Sequence, residues 1–186
     1  MRIVDDKEDQ FPQLDITVRN IGDRIAVLKS AEIHVSGTWT LLNPWRPKAP
    51  ISSYYDVILP LRHPNLQTVS LSQAIDPNDA DRFAITLGND LGQGPNKYVY
   101  QLSVLFVYDG DNKTFGTQDM LILSRRPSRI LGGHTHRTRI EQCKEHNKQV
   151  LAELKRTNVI KSETLTQIID TYLNSGEVPY PYIYHA

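Results

Sequence analysis

Four side chains with the chemistry of metal ligands lie close together in the second half of the sequence: His134, His136, Cys143 and His146. Imidazole and thiolate are the usual zinc ligands, and residues three apart on a helix share a face. Cys143 also falls on an apolar stripe, where a buried free cysteine is common. Because the paired CxxC spacing of structural zinc sites is missing, we expect no metal and no other cofactor. These four residues are the candidates if zinc binds.

No residue pattern predicts catalysis. Cys143 is the only thiol, and its apolar surroundings do not favour a reactive thiolate. The glycine-rich stretch 88–94 lacks the Lys-Ser/Thr pair of a phosphate-binding loop, and no G-x-S-x-G motif occurs. The aspartates within 76–81 and 109–112 lack the spacing of a calcium-binding loop. We therefore expect a protein that is not an enzyme.

A short basic stretch begins after residue 124. It holds five arginines and no acidic residue: Arg125, Arg126, Arg129, Arg137 and Arg139. Guanidinium groups bind phosphates or acidic protein surfaces through bidentate hydrogen bonds, and the same composition is typical of a solvated linker. The formal net charge of the chain is zero, which does not favour nucleic acid as the main partner. Contact with nucleic acid or phosphate through this stretch is the alternative function.

A period of two dominates the first two thirds of the chain. Apolar residues alternate with polar ones after Leu14, Ala31 and Phe83, and the run from Tyr98 to Tyr108 places its large side chains on one face. An Asp-Gly turn then predicts a hairpin.

The hairpin's partner strand covers 115–123, and further strands are predicted at 54–59 and 68–71. Three prolines exclude a central strand at 39–53, which we interpret as a loop or an edge segment. About seven short strands without a helical period indicate a mainly β protein, an antiparallel Ig-like β-sandwich over residues 1–124.

The period changes to that of helices beyond an arginine-rich linker, residues 125–139. Apolar residues at spacings of three and four predict one helix from Ile140, and Ser162 is a suitable N-cap for a second. Residues 140–186 are therefore predicted to form a helical hairpin with an extended tail rich in tyrosine and proline.

Two segments of the strand-rich region resemble bacterial cell-adhesion-related (CARDB-like) domains. Residues 14–23, LDITVRNIGD, are similar to the first strand and turn of these domains, which carry a V-x-V-x-N-x-G signature. Residues 75–87, IDPNDADRFAITL, are similar to their proline-containing turn and inward-facing strand. The resemblance covers residues 12–124 and implies an Ig-like fold with a binding or spacing role and no active site. The helical region is not part of that pattern.

The helical region carries the sharpest prediction of a binding site. Two short amphipathic helices must bury their apolar stripes, either on the sandwich or on another chain. Tyrosine is favoured at interfaces, and an extended tail suits strand addition or groove docking. We predict that another protein, or a second copy of this one, binds residues of helix and tail: Leu165, Ile169, Tyr172, Tyr180, Tyr182 and Tyr184. The expected function is that of a non-enzymatic adaptor subunit.

The start of the chain and its cysteine content bear on its location. The first ten residues, MRIVDDKEDQ, lack the apolar run of a signal peptide, and a single cysteine allows no internal disulfide. No apolar stretch is long enough to cross a membrane as a helix. We therefore expect a cytoplasmic protein with no membrane partner, and the resemblance to bacterial cell-adhesion-related domains implies a bacterial one.

Overall fold

A computed structural model describes residues 2–4, 11–42, 57–60, 63–89, 97–109, 113–124 and 137–175. These residues form ten strands and two helices. In chain order they are β1 (Arg2–Val4), β2 (Gln13–Arg19), β3 (Ala26–Leu41), β4 (Val57–Leu59), β5 (Asn65–Ile75), β6 (Ala80–Asn89), β7 (Lys97–Tyr108), β8 (Lys113–Gly116), β9 (Met120–Ser124), α1 (Arg137–Arg156), β10 (Ile160–Lys161) and α2 (Glu163–Ser175). The prediction of a mainly β protein with two C-terminal helices is confirmed. Helix α1 starts at Arg137, so the last residues of the predicted linker are helical.

The strands form two sheets. The smaller sheet has the order β1-β2-β6-β4, and the larger one has the order β10-β9-β7-β3-β5, with β8 also paired to β7. Strand β4 runs parallel to β6, and β10 runs parallel to β9. The predicted antiparallel pairing is therefore wrong for these two pairs. In both cases other elements lie between the partners in the chain, so the connection is a crossover and no tight turn imposes the antiparallel direction.

Side chains from both sheets form one hydrophobic core. Leu14 and Ile85 from the smaller sheet join Ile33 and Leu102 from the larger sheet, and none of these four is more than 2% exposed. The predicted inward face of the strand from Tyr98 is confirmed, because its alternate residues belong to this core. We call β1 to β9, packed around this core, the two-sheet body.

A register shift in β3 between Val35 and Gly37 changes the face that each residue presents. Ile33 and Val35 lie in the core, whereas Trp39 and Leu41 belong to a second cluster with the helices. Sequence analysis interpreted the segment from residue 39 as a loop or edge. Trp39 and Leu41 instead end the central strand, and the bulge hid them because it interrupts the period of two. A Cβ atom at Gly37 would lie 2.6 Å from the Trp39 ring, so the absence of a side chain lets the ring cross the strand.

The strand predicted over 115–123 is divided into β8 and β9. Thr117 lies at the break, and its backbone nitrogen donates a hydrogen bond to the Val104 carbonyl at 2.8 Å. Its side-chain hydroxyl accepts a hydrogen bond from the Val104 nitrogen at 2.9 Å. The Thr117 side chain thus replaces a backbone acceptor. Both backbone groups of Val104 are therefore hydrogen-bonded at the point where β7 changes its partner from β8 to β9.

The hydroxyl of Tyr100 has no hydrogen-bond partner within the described residues, although its side chain is fully buried. Burial raises the pKa of this phenol above its ordinary value near 10, with a smaller contribution from Tyr98. We expect Tyr100→Phe to raise the free energy of unfolding by about 1 kcal/mol at neutral pH, because it removes an unpaired polar group. The check is urea unfolding, and a clear loss of stability would show that the hydroxyl is satisfied in solution.

The same substitution is expected to change the alkaline limb of the stability profile. As the pH rises above about 10, the unfolded chain ionises this phenol while the folded chain keeps its proton, so stability falls with rising pH. Tyr100→Phe should make that fall shallower, whereas Tyr108→Phe, at a half-buried site on the same strand, should leave the Tyr100 contribution intact.

Candidate functional site

The hairpin of α1 and α2 docks on the outer face of the larger sheet. Leu165, Ile169 and Tyr172, which were predicted to bind a partner, are each no more than 2% exposed. They lie in a second hydrophobic cluster together with Val99 and Leu121 of the sheet. Sequence analysis left docking within the chain and docking on another chain open, and the structure shows the former. These three side chains are not available to a partner while the hairpin stays in place.

Polar contacts hold α1 against the end of β3. Asn147 is 4% exposed, and its side-chain oxygen accepts a hydrogen bond from the Leu42 nitrogen at 2.8 Å while its amide donates to the Leu42 carbonyl at 2.9 Å. The Asn147 amide thereby pairs with both backbone groups of Leu42, as a residue of a neighbouring strand would. The Trp39 ring nitrogen donates to Glu153 at 3.0 Å. These hydrogen bonds fix the orientation of α1, which the apolar cluster alone would not do.

The link between the helices extends the sheet. Ile160–Lys161 forms β10 beside β9, and the Ser162 nitrogen donates to the Leu121 carbonyl at 3.0 Å. The Ser162 hydroxyl accepts a hydrogen bond from the Leu165 nitrogen at 3.3 Å, as the N-cap prediction for α2 required. The Tyr172 hydroxyl donates to the Lys144 carbonyl and joins the two helices. The hairpin is therefore a structural part of the molecule.

The structure describes the side chains of two of the four candidate zinc ligands, Cys143 and His146. Cys143 is buried in α1, whereas His146 is exposed and its Nε2 atom lies 3.0 Å from the Thr40 carbonyl oxygen, which accepts the ring's hydrogen bond. His134 and His136 lie outside the described residues. Among the residues that the structure describes, no group of three or more potential ligands comes together.

The other predicted contact residues are not placed by the structure. Arg125, Arg126 and Arg129 lie outside the described residues, and only the backbones of Arg137 and Arg139 are described, in the first turn of α1. Tyr180, Tyr182 and Tyr184 also lie outside the described residues. Their predicted roles stay predictions.

A cleft of about 660 Å³ opens at one end of the two-sheet body. It is lined by the end of β2, the turn over residues 20–25, the start of β3, and the nearby ends of β5, β7 and β8. Leu28 and Ile75 contribute buried apolar side chains to it, and Tyr108 and Phe115 line it from β7 and β8. Its volume is that of a site for a small ligand or for one or two side chains of a partner. We call this the end cleft.

Asn20 builds one side of the end cleft. Its side-chain amide donates to the Arg24 carbonyl at 2.8 Å and to the Ile75 carbonyl at 2.9 Å, and its side-chain oxygen accepts from the Gly22 nitrogen at 2.9 Å. The Asn20 backbone nitrogen also donates to Asp79 at 2.9 Å. Asn20 thus ties the turn over 20–25 to the end of β5 through its side chain and to the β5–β6 connection through its backbone, while Ile21 and Ile25 of that turn are exposed.

Asp109 and an aromatic cluster build the other side. Asp109 accepts a hydrogen bond from the Val27 nitrogen at 3.0 Å and donates its own backbone N–H to the Val27 carbonyl at 2.9 Å. Its φ of 47° is left-handed, which aspartate tolerates better than most residues. Phe115 stacks on Phe106 with ring centroids 4.9 Å apart and meets Tyr108 edge-on at 5.9 Å.

The rim of the end cleft is apolar and exposed. Ile21 is 87% exposed, Ile25 55% and Phe115 38%, and all three line the cleft. The lining also includes three cationic residues, Arg19, Arg24 and Lys113, and two carboxylates, Asp23 and Asp109. Exposed apolar side chains gathered beside a cavity are typical of an interaction site. The arrangement suits an apolar group with a negative charge beside it.

Sequence analysis did not find this site. The residues 20–23 were interpreted only as a turn, since turn residues end a strand in many proteins. The available signal was the pair Ile21 and Ile25, which places two large β-branched residues within an otherwise polar turn. Only the folded chain shows that both line the same cleft as Phe115, which lies far later in the sequence.

Neither a scan against protein-family models, nor a search of curated proteins, nor a search of solved structures found a match for this chain.

Proposed function

We propose that this protein is a non-enzymatic interaction subunit, an adaptor whose end cleft receives a segment of a partner protein. The two-sheet body, which we propose to be an Ig-like sandwich, serves as the platform, and the docked hairpin braces it. The observation that carries the proposal is the coincidence of an exposed apolar rim with a cavity of about 660 Å³. Ile21 is 87% exposed and so contributes little to folding, and its placement beside the cavity is better explained by binding.

The chemistry of the cleft favours binding over turnover. Its lining contains no histidine or cysteine among the described residues. Asp109 is held by hydrogen bonds to the backbone of Val27, which makes it part of the wall. General acid–base catalysis and nucleophilic catalysis both need a suitably placed titratable group. The described lining has no histidine or thiol for this role, and Asp109 is held by the Val27 backbone.

The charges on the rim indicate the class of partner. Three cationic residues, Arg19, Arg24 and Lys113, line the cleft with two carboxylates, Asp23 and Asp109, so the lining carries a net positive charge. Guanidinium groups form bidentate hydrogen bonds with carboxylates, so an acidic side chain next to an apolar one matches both features. The proposed ligand is therefore a peptide segment with one or two large apolar side chains flanked by Asp or Glu. The alternative, nucleic acid or phosphate bound by Arg125 to Arg139, has no described side chain to support it and stays a prediction.

Selection from a library of random short peptides tests the proposal. We expect peptides rich in Leu, Phe or Trp with neighbouring Asp or Glu to be enriched on the full chain. Ile25→Asp removes an apolar contact at the cavity, and Arg24→Glu removes a charge pair. Each should weaken the binding of a selected peptide by about tenfold or more. Titration calorimetry gives the dissociation constants.

Ile160→Asp is the matched control, because Ile160 is 52% exposed on β10, beside the hairpin and outside the cleft lining. This variant should bind selected peptides as the parent does. Peptides that bind all three variants equally well, or an enrichment of basic peptides, would contradict the proposal.

A further inference from the structure

Strand β8 borders the end cleft and forms an open edge of the larger sheet. Among the described residues it pairs only with β7, whereas β9, farther along the same edge, has β10 on its outer side. Each residue of β8 is exposed, and Lys113 and Phe115 line the cleft. Within the described part of the chain, the outer side of β8 therefore has no strand beside it, next to the cavity.

A hydrogen bond at the end of β8 identifies the backbone groups that point outward. The Thr117 nitrogen donates to the Val104 carbonyl at 2.8 Å, so these two residues form a hydrogen-bonded pair. Directly opposed residues of an antiparallel ladder alternate between hydrogen-bonded and non-hydrogen-bonded pairs. By the register of β7 and β8, Phe115 is therefore hydrogen-bonded to β7, and the N–H and C=O groups of Thr114 and Gly116 point away from β7.

A hydrogen bond at the other end of the pair gives the same alternation. The Asp109 nitrogen donates to the Val27 carbonyl at 2.9 Å, so the backbone of residue 109 points toward β3. The backbone of Tyr108 must then point toward β8, where its partner is Lys113. Both observations leave Thr114 and Gly116 with outward groups, which are two N–H donors and two C=O acceptors.

Strand β2, which also lines the end cleft, has an open edge of its own. Strand β1 pairs with residues 13–15 of β2, so no described strand lies beside Thr17 and Arg19 on that side. The Asn20 nitrogen donates to the Asp79 carbonyl, and the same alternation directs the backbone groups of Thr17 and Arg19 away from β6. The cavity is thus bordered by an open strand edge from each sheet, which suits an extended occupant.

We propose, resting on the proposed function of the end cleft, that the partner segment binds as an extended strand antiparallel to β8 and continues the larger sheet. In strand addition, main-chain hydrogen bonds provide affinity and pockets for alternate side chains provide specificity. Thr114 and Gly116 supply the main-chain groups, and the cleft supplies the pocket. The link between the helices already adds β10 to this edge beside β9.

This arrangement predicts a sequence pattern for the segment. The segment residue opposite Phe115 is in a non-hydrogen-bonded pair, where facing side chains lie closest, and its side chain points into the cleft with Phe115. A large apolar residue fits there, since Phe115 belongs to an aromatic cluster. Two positions later the segment lies opposite Lys113, where Asp or Glu forms a favourable cross-strand pair. The expected pattern is an apolar residue, any residue, and then Asp or Glu.

A backbone-methylation scan of a bound peptide tests the strand pairing. The probe is the tightest-binding peptide of the library selection, remade with one N-methyl group at each position in turn. Methylation of the two residues that flank the apolar one should weaken binding about tenfold or more, because their N–H groups face Thr114 and Gly116. Methylation of the apolar residue itself should change binding by less than about threefold, because its N–H points outward. Titration calorimetry on the full chain gives the dissociation constants.

Thr114→Pro tests the same pairing from the side of the protein. Proline removes the outward N–H of residue 114 and no hydrogen bond to β7, a position at which edge strands tolerate it. The probe peptide should bind about tenfold or more weakly. Thr68→Pro is the matched control, because Thr68 is exposed on the edge strand β5, outside the cleft lining, and alternation through β7 and β3 also directs its N–H outward. Urea unfolding verifies that both variants fold.

The outcomes separate this binding mode from the end cleft itself. A scan without alternation, or Thr114→Pro that binds as Thr68→Pro does, would overturn the strand on β8, while weaker binding by Ile25→Asp would still support the cleft. A larger loss in Thr17→Pro than in Thr114→Pro would place the segment on β2 instead. Enrichment of peptides with the acidic residue first would contradict the antiparallel direction. If no peptide binds, both proposals are wrong.

Discussion

Replacing Leu165 by alanine is expected to lower the free energy of unfolding by about 3 kcal/mol. Leu165 has no exposed surface and packs among Val99, Leu121 and Leu154 in the cluster beneath the hairpin. Removing a fully buried leucine costs the transfer free energy of the lost methyl groups and leaves a cavity. Urea unfolding followed by tryptophan fluorescence suits the test, because Trp39 belongs to the same cluster.

Thr171→Ala is the matched control for this experiment, since Thr171 lies on the exposed side of the same helix and should change stability by less than about 0.5 kcal/mol. The result separates two views of the hairpin. If Leu165 served mainly to contact another chain, its truncation would leave the unfolding of the isolated protein unchanged, which would contradict docking within the chain.

The same packing makes truncation a poor test of partner binding. A chain that ends before α1 would expose Leu41, Val99, Leu121 and Leu123 on the outer face of the sheet, all of which are now buried. It would also leave β9 without its neighbour β10. Loss of binding in such a fragment would report exposed apolar surface and an open edge. Single substitutions that keep the hairpin in place are the informative variants.

Asn20→Ala is expected to cost about 3 kcal/mol of stability and to abolish peptide binding at the end cleft. The substitution removes three side-chain hydrogen bonds and leaves the Ile75 carbonyl, the Arg24 carbonyl and the Gly22 nitrogen without that partner. A buried polar group without a partner costs about 1–3 kcal/mol, so several such losses produce a large effect. Urea unfolding gives the stability, and titration calorimetry with a selected peptide gives the binding.

Arg24→Ala provides the control for Asn20, because it lies in the same turn and keeps the backbone carbonyl that Asn20 contacts. It should leave stability nearly unchanged and weaken peptide binding through the lost guanidinium group alone. A stable Asn20→Ala protein with full binding would show that the turn over 20–25 holds its shape without this side chain, and that our account of the cleft is wrong.

Local periodicity predicted the class of most elements, although β1 and β10 were not predicted. Alternation along 98–108 specified a long strand with one buried face, and spacings of three and four after residue 140 specified two amphipathic helices with Ser162 as a cap. These features depend on which side of an element is apolar, and that is written in neighbouring residues. The alternation did not predict the end of β3, because the bulge before Gly37 exchanges the two faces of the strand.

Only the tertiary structure decided where these faces meet. The sequence showed that Leu165, Ile169 and Tyr172 must be buried, but an apolar stripe does not name the surface that buries it. Likewise, Ile21, Ile25 and Phe115 form one rim only because Asn20 and Asp109 fasten separate turns to neighbouring strands. Hydrophobic burial is non-directional, so residues alone determine how much must be covered, whereas long-range hydrogen bonds and strand pairing determine what covers it.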